Sequence, residues 1–168
     1  MDKYKWDLTK IFKSDKEFND TIEEVNQLLD EIIKYKGRIF ESTDTLVEFL
    51  KLDTKIDVLT ERVYIYAYLG HYVDMSDNEF LHKKEKASNL INKSSSVRAF
   101  INPEILSKDY DEVKEMLSLK SELSKYSVTF EKIFRCIIYV LSEKEETILS
   151  NVNEALRTSI DAFNALNN

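Results

Sequence analysis

The sequence predicts an all-α fold, an antiparallel helical bundle of about six helices including one long helix. Three observations predict it. Only 2 Gly and 1 Pro occur in 168 residues, where average usage would give roughly 12 and 8. Tight hairpins and left-handed turns draw on those residues, so a β-rich fold is disfavoured. Apolar residues recur at steps of three and four through most of the chain, the spacing that builds one apolar helix face. Helix-capping residues stand where these runs begin.

In order along the chain, residues 1–13 carry Trp6, Leu8, Ile11 and Phe12 at irregular spacing. They read as an extended lead-in packed on the body. Ser14 opens the first helix, with Glu17 placed to bond back to the cap amide. Phe18, Ile22, Val25, Leu29 and Ile32 share one face, and Gly37 suits a left-handed stop. The second helix starts near Ser42 or Thr43 and is long, with Phe49, Leu52, Ile56, Leu59, Val63, Tyr66 and Gly70 in register. A capping box over Ser76–Glu79 begins the third, which carries Phe80, Ala87, Leu90, Ile91, Val97 and Phe100.

Asn102-Pro103 resets the backbone, since Pro begins helices but rarely sits inside them. A short helix over 109–117 presents Val113, Met116 and Leu117. The next runs from about 121 to 140 with Tyr126, Phe130, Ile133 and Ile137 in register. Ser142 and Glu145 form a third capping box ahead of Ile148, Leu149, Val152 and Leu156, and Ser159–Asn168 reads as a final helix start. No linker or composition break divides the chain, so residues 1–168 are expected to form one helical domain.

Charge and cysteine content exclude several roles. Lys+Arg 24 against Asp+Glu 31 gives a net charge of −7, with both signs interleaved. Nucleic-acid binding wants a basic stripe, so no nucleic-acid partner is expected. No run of 18 uncharged apolar residues occurs, so no membrane partner is expected either. Cys136 is the sole cysteine, which rules out an intramolecular disulfide, and no apolar signal region follows Met1. A cytoplasmic location is the resulting expectation.

Candidates for chemistry are few. His71 and His82 lie eleven residues apart, not one helical turn, with Asp74, Asp77 and Glu79 between them. That matches no metal-ligand spacing, and a capped helix start accounts for the acids. Cys136 sits in the apolar run Ile133–Ile138 with no histidine nearby, which reads as a buried structural thiol. Two isolated glycines cannot make a phosphate loop. The paired acids Glu23-Glu24 and Glu145-Glu146 read as helix surface. Tyr64, Tyr68 and Tyr72 step by four and share one face of the long helix. Such a stripe reads first as packing on a neighbouring helix with hydroxyls at the rim; the alternative is peptide or partner contact, which its apolar area and hydroxyl tips suit.

Five further stretches carry a resemblance. Tyr4-Lys5-Trp6-Asp7-Leu8 with Ile11-Phe12 and Ser14-Asp15 resembles the start of oligoendopeptidase F. Tyr35-Lys36-Gly37-Arg38 before Glu41-Ser42 is similar to the end of that family's first helix, and Val63-Tyr64-Ile65-Tyr66-Ala67 to its aromatic segment. Leu141-Ser142-Glu143-Lys144-Glu145-Glu146 resembles a helix start of the family, and Phe163-Asn164-Ala165-Leu166-Asn167-Asn168 its "FNxLNNADL" stretch before the acidic residue. One departure is visible: Tyr139 stands where the family usually has histidine.

The resemblance implies an N-terminal helical lobe of a zinc-dependent oligopeptidase that hydrolyses short peptides. Its His-Glu-x-x-His motif would lie in a later catalytic domain, since these residues lack it. No catalytic or metal residue is therefore carried over, and no cofactor is assigned to this chain; zinc would sit in the catalytic domain. The implied partners are that domain and an oligopeptide substrate, and the implied role is to help enclose the substrate cavity. Two other readings stay open: a self-standing interaction module using the tyrosine face, and a metal enzyme centred on His71 and His82. The lobe reading adds an expectation that the side meeting the catalytic domain is unusually apolar, promoting self-association at high concentration.

Overall fold

A computed structural model describes residues 6–136 together with 144–145, 147–149, 152 and 162–163. Among the described residues there is no strand. Over described residues 6–136, seven α-helices follow one another: α1 Asp15–Ile32, α2 Thr43–Val73, α3 Asn78–Val97, α4 Ile101–Leu106, α5 Tyr110–Ser118, α6 Ser121–Ser124 and α7 Ser127–Arg135. At 31 residues α2 spans about 46 Å, the expected long helix.

The first three helices form an antiparallel core with α2 in the middle. Glu17 pairs with Arg62 and Glu24 with Lys55, both at 2.7 Å, so α1 and α2 run in opposite directions. Tyr68 meets Ser88 while Arg98, just past α3, meets Asp53 and Asp57, so α3 turns back along α2 as well. α1 and α3 are then parallel, joined by Lys83–Asp15, Lys86–Asn19 and Lys93–Asn26 contacts. Between them lie Phe18, Val25, Leu29, Ile56, Val63, Ala67 and Ala87, all buried. Half-buried Ile22 packs against this core. Phe12, Phe18, Tyr66 and Phe80 form an aromatic cluster with ring centroids 5.1–5.6 Å apart.

The lead-in is tied down at one end. Arg62 donates to the Ile11 carbonyl from Nε (2.9 Å) and Nη2, and its guanidinium lies 4.2 Å over the Phe12 ring. Phe12 is buried, but Trp6 stays 67% exposed, and Leu8–Lys10 forms a single 3₁₀ turn. Among the described residues of the expected lead-in, Leu8, Ile11 and Phe12 pack on the body.

The capping residues are partly as expected. Ser14 accepts from the Glu17 amide, and Ser42 from the Thr45 amide. Glu17 does not reach back to Ser14, however: its carboxylate accepts from the Lys13 amide at 2.9 Å while its other oxygen holds Arg62. At α3 the cap is Asp77 rather than Ser76, because the longer carboxylate accepts from both Glu79 and Phe80 amides. The Ser76 hydroxyl bonds Asp74 instead. Gly37 takes the left-handed conformation with φ 76°, a region open to glycine. Its amide donates to Glu104 of α4.

Helices α4–α7 close over the N-terminal half of α2. Lys51–Glu122 and Lys120–Asp44 ion pairs and the Tyr126 hydroxyl on Thr54 join the two parts. Pro103 falls in the first turn of α4, where its missing N–H costs nothing. The helix expected over 121–140 is broken into α6 and α7 at Lys125–Tyr126. Among the described residues, that break and the additional short helix α4 bring five expected helices to seven. Tyr126 turns its ring inward, with its hydroxyl reaching the Leu50 carbonyl of α2. The expected Ile137, Ser142 and Leu156 positions lie outside the described residues, as does Tyr139.

Candidate functional site

Helix periodicity places Tyr64, Tyr68 and Tyr72 on one side of α2, and the structure stacks them in sequence. Ring centroids are 4.1 Å apart between Tyr64 and Tyr68 and 6.2 Å between Tyr68 and Tyr72. The three are unequal. Tyr68 is buried, its hydroxyl 3.0 Å from Ser88 Oγ and its ring 5.6 Å from the Lys84 ammonium. Tyr64 is at the edge of exposure and Tyr72 is 58% exposed. Ile65 and Val73 are exposed beside them. One residue of the stripe packs on α3, and the other two present phenol rings outward.

The metal candidates separate. His71 is buried near the end of α2, its ring 5.9 Å from Tyr72, whereas His82 is exposed on α3 and bonds Glu85 at 3.2 Å. Among the described residues, no group of three or more His, Cys, Asp or Glu side chains is placed to hold a metal ion. Cys136 is exposed, against the expectation of a buried thiol. It follows Arg135 as the C-terminal cap of α7, where the helix surface that buries Phe130 and half-buries Ile133 and Phe134 has ended.

A second site was not foreseen. A cleft of about 330 Å³ opens where α2, the end of α3, α4 and α7 meet. Phe49, Leu50, Ile101, Ile105 and Phe130 give it apolar walls, with Ser95, Asn102 and Thr129 at its exposed mouth. In its wall lies an ion triad. Arg98 Nε donates to Asp53 Oδ1 at 2.8 Å, Nη2 forms an ion pair with the same oxygen at 2.6 Å, and Nη1 donates to Asp57 Oδ1 at 2.6 Å. The Arg98 and Asp53 side chains are each 20% exposed; Asp57 lies at the outside.

Burial pushes the Asp53 carboxyl above the usual carboxylate range, with Asp57 adding to it and Arg98 pulling the other way. Burial also works against the Arg98 charge, but the two carboxylates outweigh it and hold the guanidinium above its ordinary value. The sequence did carry a trace of this site. Asp53 and Asp57 stand one turn apart beside the apolar positions Leu52 and Ile56, and Arg98 precedes the Asn102-Pro103 break. Nothing local joins residues 45 apart.

A second charged cluster braces the bundle. Lys83 is almost fully buried between Asp15, at 2.7 Å, and Glu79, with the Phe80 ring 4.5 Å away. Burial disfavours its charge, yet the bonds to Asp15 and Glu79 hold its pKa above the ordinary lysine value. The Lys83 bond in turn holds the Asp15 carboxyl below its usual range.

Comparison with known proteins finds relatives over most of the chain. The sequence pattern of the oligopeptidase F family matches residues 104–168. Over 163 residues the chain is 36% identical to oligopeptidase PepF of Bacillus subtilis, covering 97% of this chain and 24% of that protein. It is 29% identical to group B oligopeptidase PepB of Streptococcus agalactiae, covering 99% of this chain and 28% of the relative. The crystal structure of oligoendopeptidase-F from Enterococcus faecium superposes with a TM-score of 0.86 at 26% identity, over 92% of this chain and 30% of that one. The chain thus spans about a quarter of the length of the curated relatives it matches.

Proposed function

The chain corresponds to the N-terminal region of oligoendopeptidase F-like peptidases, and from that premise we propose that it is the N-terminal helical lobe of a zinc-dependent oligopeptidase. In this reading it walls part of the cavity that admits short peptides and does not itself cut them. The observation that carries the reading is the match to PepF over 97% of this chain but only 24% of that protein. The lobe supplies enclosure, which excludes water and orients a peptide. Zinc, held by a downstream catalytic domain, would polarise the scissile carbonyl and activate water. That domain and an oligopeptide are the proposed partners, and the cytoplasm the proposed location; no helix among the described residues is long and apolar enough to cross a membrane.

Exposed Tyr64 and Tyr72, with Ile65 and Val73, favour a contact role for the outer face of α2. The same feature supports a second reading, an interaction module that works through this face alone.

The test is a chimera. This chain replaces the first quarter of the Bacillus subtilis relative, and hydrolysis of a quenched peptide of about nine residues is followed. The expected result is no cleavage by the chain alone and metal-dependent cleavage by the chimera. Cleavage by the purified chain alone, or a folded, zinc-loaded chimera without activity, overturns the proposal.

A further inference from the structure

The cleft beside Asp53 combines an apolar interior with an anion that its own partners compensate incompletely. The Nε hydrogen bond and the Nη2 ion-pair contact of Arg98 both fall on Asp53 Oδ1, and among the described residues none reaches Oδ2. Two carboxylates share one guanidinium, so the triad carries one negative charge in excess. The half-buried carboxylate has lost part of its hydration, and the direction of its pKa agrees that Arg98 does not make up the loss. A second cation would relieve that deficit.

The walls decide what kind of cation. A small hydrated ion gains nothing from Phe49, Leu50, Ile101 and Phe130, whereas an apolar body is stabilised there by leaving water. The volume of about 330 Å³ is at the small end of ligand pockets, enough for one or two side-chain-sized groups.

We propose that this cleft binds a primary ammonium carried on an apolar body, with Asp53 as its counter-ion and the Phe49, Ile101 and Phe130 side chains around its apolar part. The N-terminus of a short apolar peptide and a free alkylamine share that chemistry. Choosing the peptide rests on the oligopeptidase reading; the ammonium site itself does not.

The experiment uses the chain as it is. Isoleucine methyl NMR signals of Ile101, Ile105 and Ile133 are followed during titration with Leu-Leu amide, its N-acetyl form, and n-hexylamine, at neutral pH. Leu-Leu amide is expected to shift these methyls, and N-acetylation to weaken binding about tenfold or more. Asp53→Asn is expected to weaken it by a similar factor. Thr129→Phe, at the exposed mouth and away from the ion triad, should block binding while leaving the circular dichroism melting midpoint in place. Leu-Leu amide binding more tightly than n-hexylamine assigns the site to peptides; equal binding assigns it to amines generally, and either supports the ammonium site. Equal binding of acetylated and free peptide, shifts confined to the tyrosine face, or no shift at millimolar probe overturns the proposal. The chimera's activity is read independently, so an active chimera whose cleft binds no amine removes this site and leaves the lobe reading intact.

Discussion

The Phe80 ring occupies the space where a side chain at Gly70 would begin. A Cβ built on Gly70 would lie 2.0 Å from Phe80 Cε1 and 2.1 Å from Cδ1. The absence of a side chain in the last turns of α2 therefore lets the start of α3 fold directly back against it, under the aromatic cluster of Phe12, Phe18 and Tyr66.

Gly70→Ala is expected to destabilise the fold by about 1–3 kcal/mol despite alanine's better helix propensity, because the ring must move within a packed cluster. Phe80→Leu in the same chain should recover part of the loss. Chemical denaturation of the single and double variants measures the coupling; a stabilised Gly70→Ala chain would refute the steric account.

The Glu104 carboxylate of α4 accepts from the Gly37 amide at 2.7 Å and the Ile39 amide at 2.9 Å. It is thus an anchor for the loop between α1 and α2. Glu104→Ala should cost about 1–3 kcal/mol, as two partly exposed backbone donors lose a charged acceptor. Glu104→Gln, which keeps one carbonyl acceptor, should cost less. Amide hydrogen exchange should quicken at Gly37 and Ile39 before it does in α2.

Arg98→Met should destabilise by about 2–3 kcal/mol, because it leaves Asp53 half-buried beside Asp57 without a cation. Adding Asp53→Asn should return most of that loss. Additive losses in the double variant would show that the triad is not energetically coupled.

Acid should loosen the contact between the first turn of α1 and its partners on α2 and α3. Glu17 is held below its ordinary 4.5 first by the Lys13 amide and then by Arg62, and Asp15 below 3.8 by Lys83. A depressed carboxylate stabilises above its unfolded value and loses that contribution as pH falls through the folded one. The melting midpoint should therefore drop between about pH 5 and about pH 2, and the double variant Glu17→Gln, Asp15→Asn should show a shallower drop. Asp53, raised by burial, works in the opposite direction.

The two ends of the tyrosine stripe should behave differently. Tyr68→Ala removes a buried ring and its bond to Ser88, for an expected loss of about 3 kcal/mol. Tyr72→Ala, on the outside, should change stability by no more than about 0.5 kcal/mol while lowering activity of the chimera. A Tyr72 variant with full chimera activity would remove this residue from the contact face.

By itself the sequence determined the three longer helices α1–α3 and the faces they bury. Ser14 and Ser42 cap the helix starts read at them, and Phe18, Val25, Leu29, Ile56 and Val63 are buried where the period put them. These properties arise within one or two helical turns, where spacing along the chain equals spacing in space. Tertiary structure decided the rest. It chose Asp77 over Ser76, sent Glu17 to Arg62, broke the helix at Tyr126 to reach Leu50, left Cys136 exposed, and divided the tyrosines into one packed and two presented. It also brought Asp53 and Arg98, 45 residues apart, into one cleft. Such pairings depend on which helix lies beside which, and side-chain period does not encode that choice.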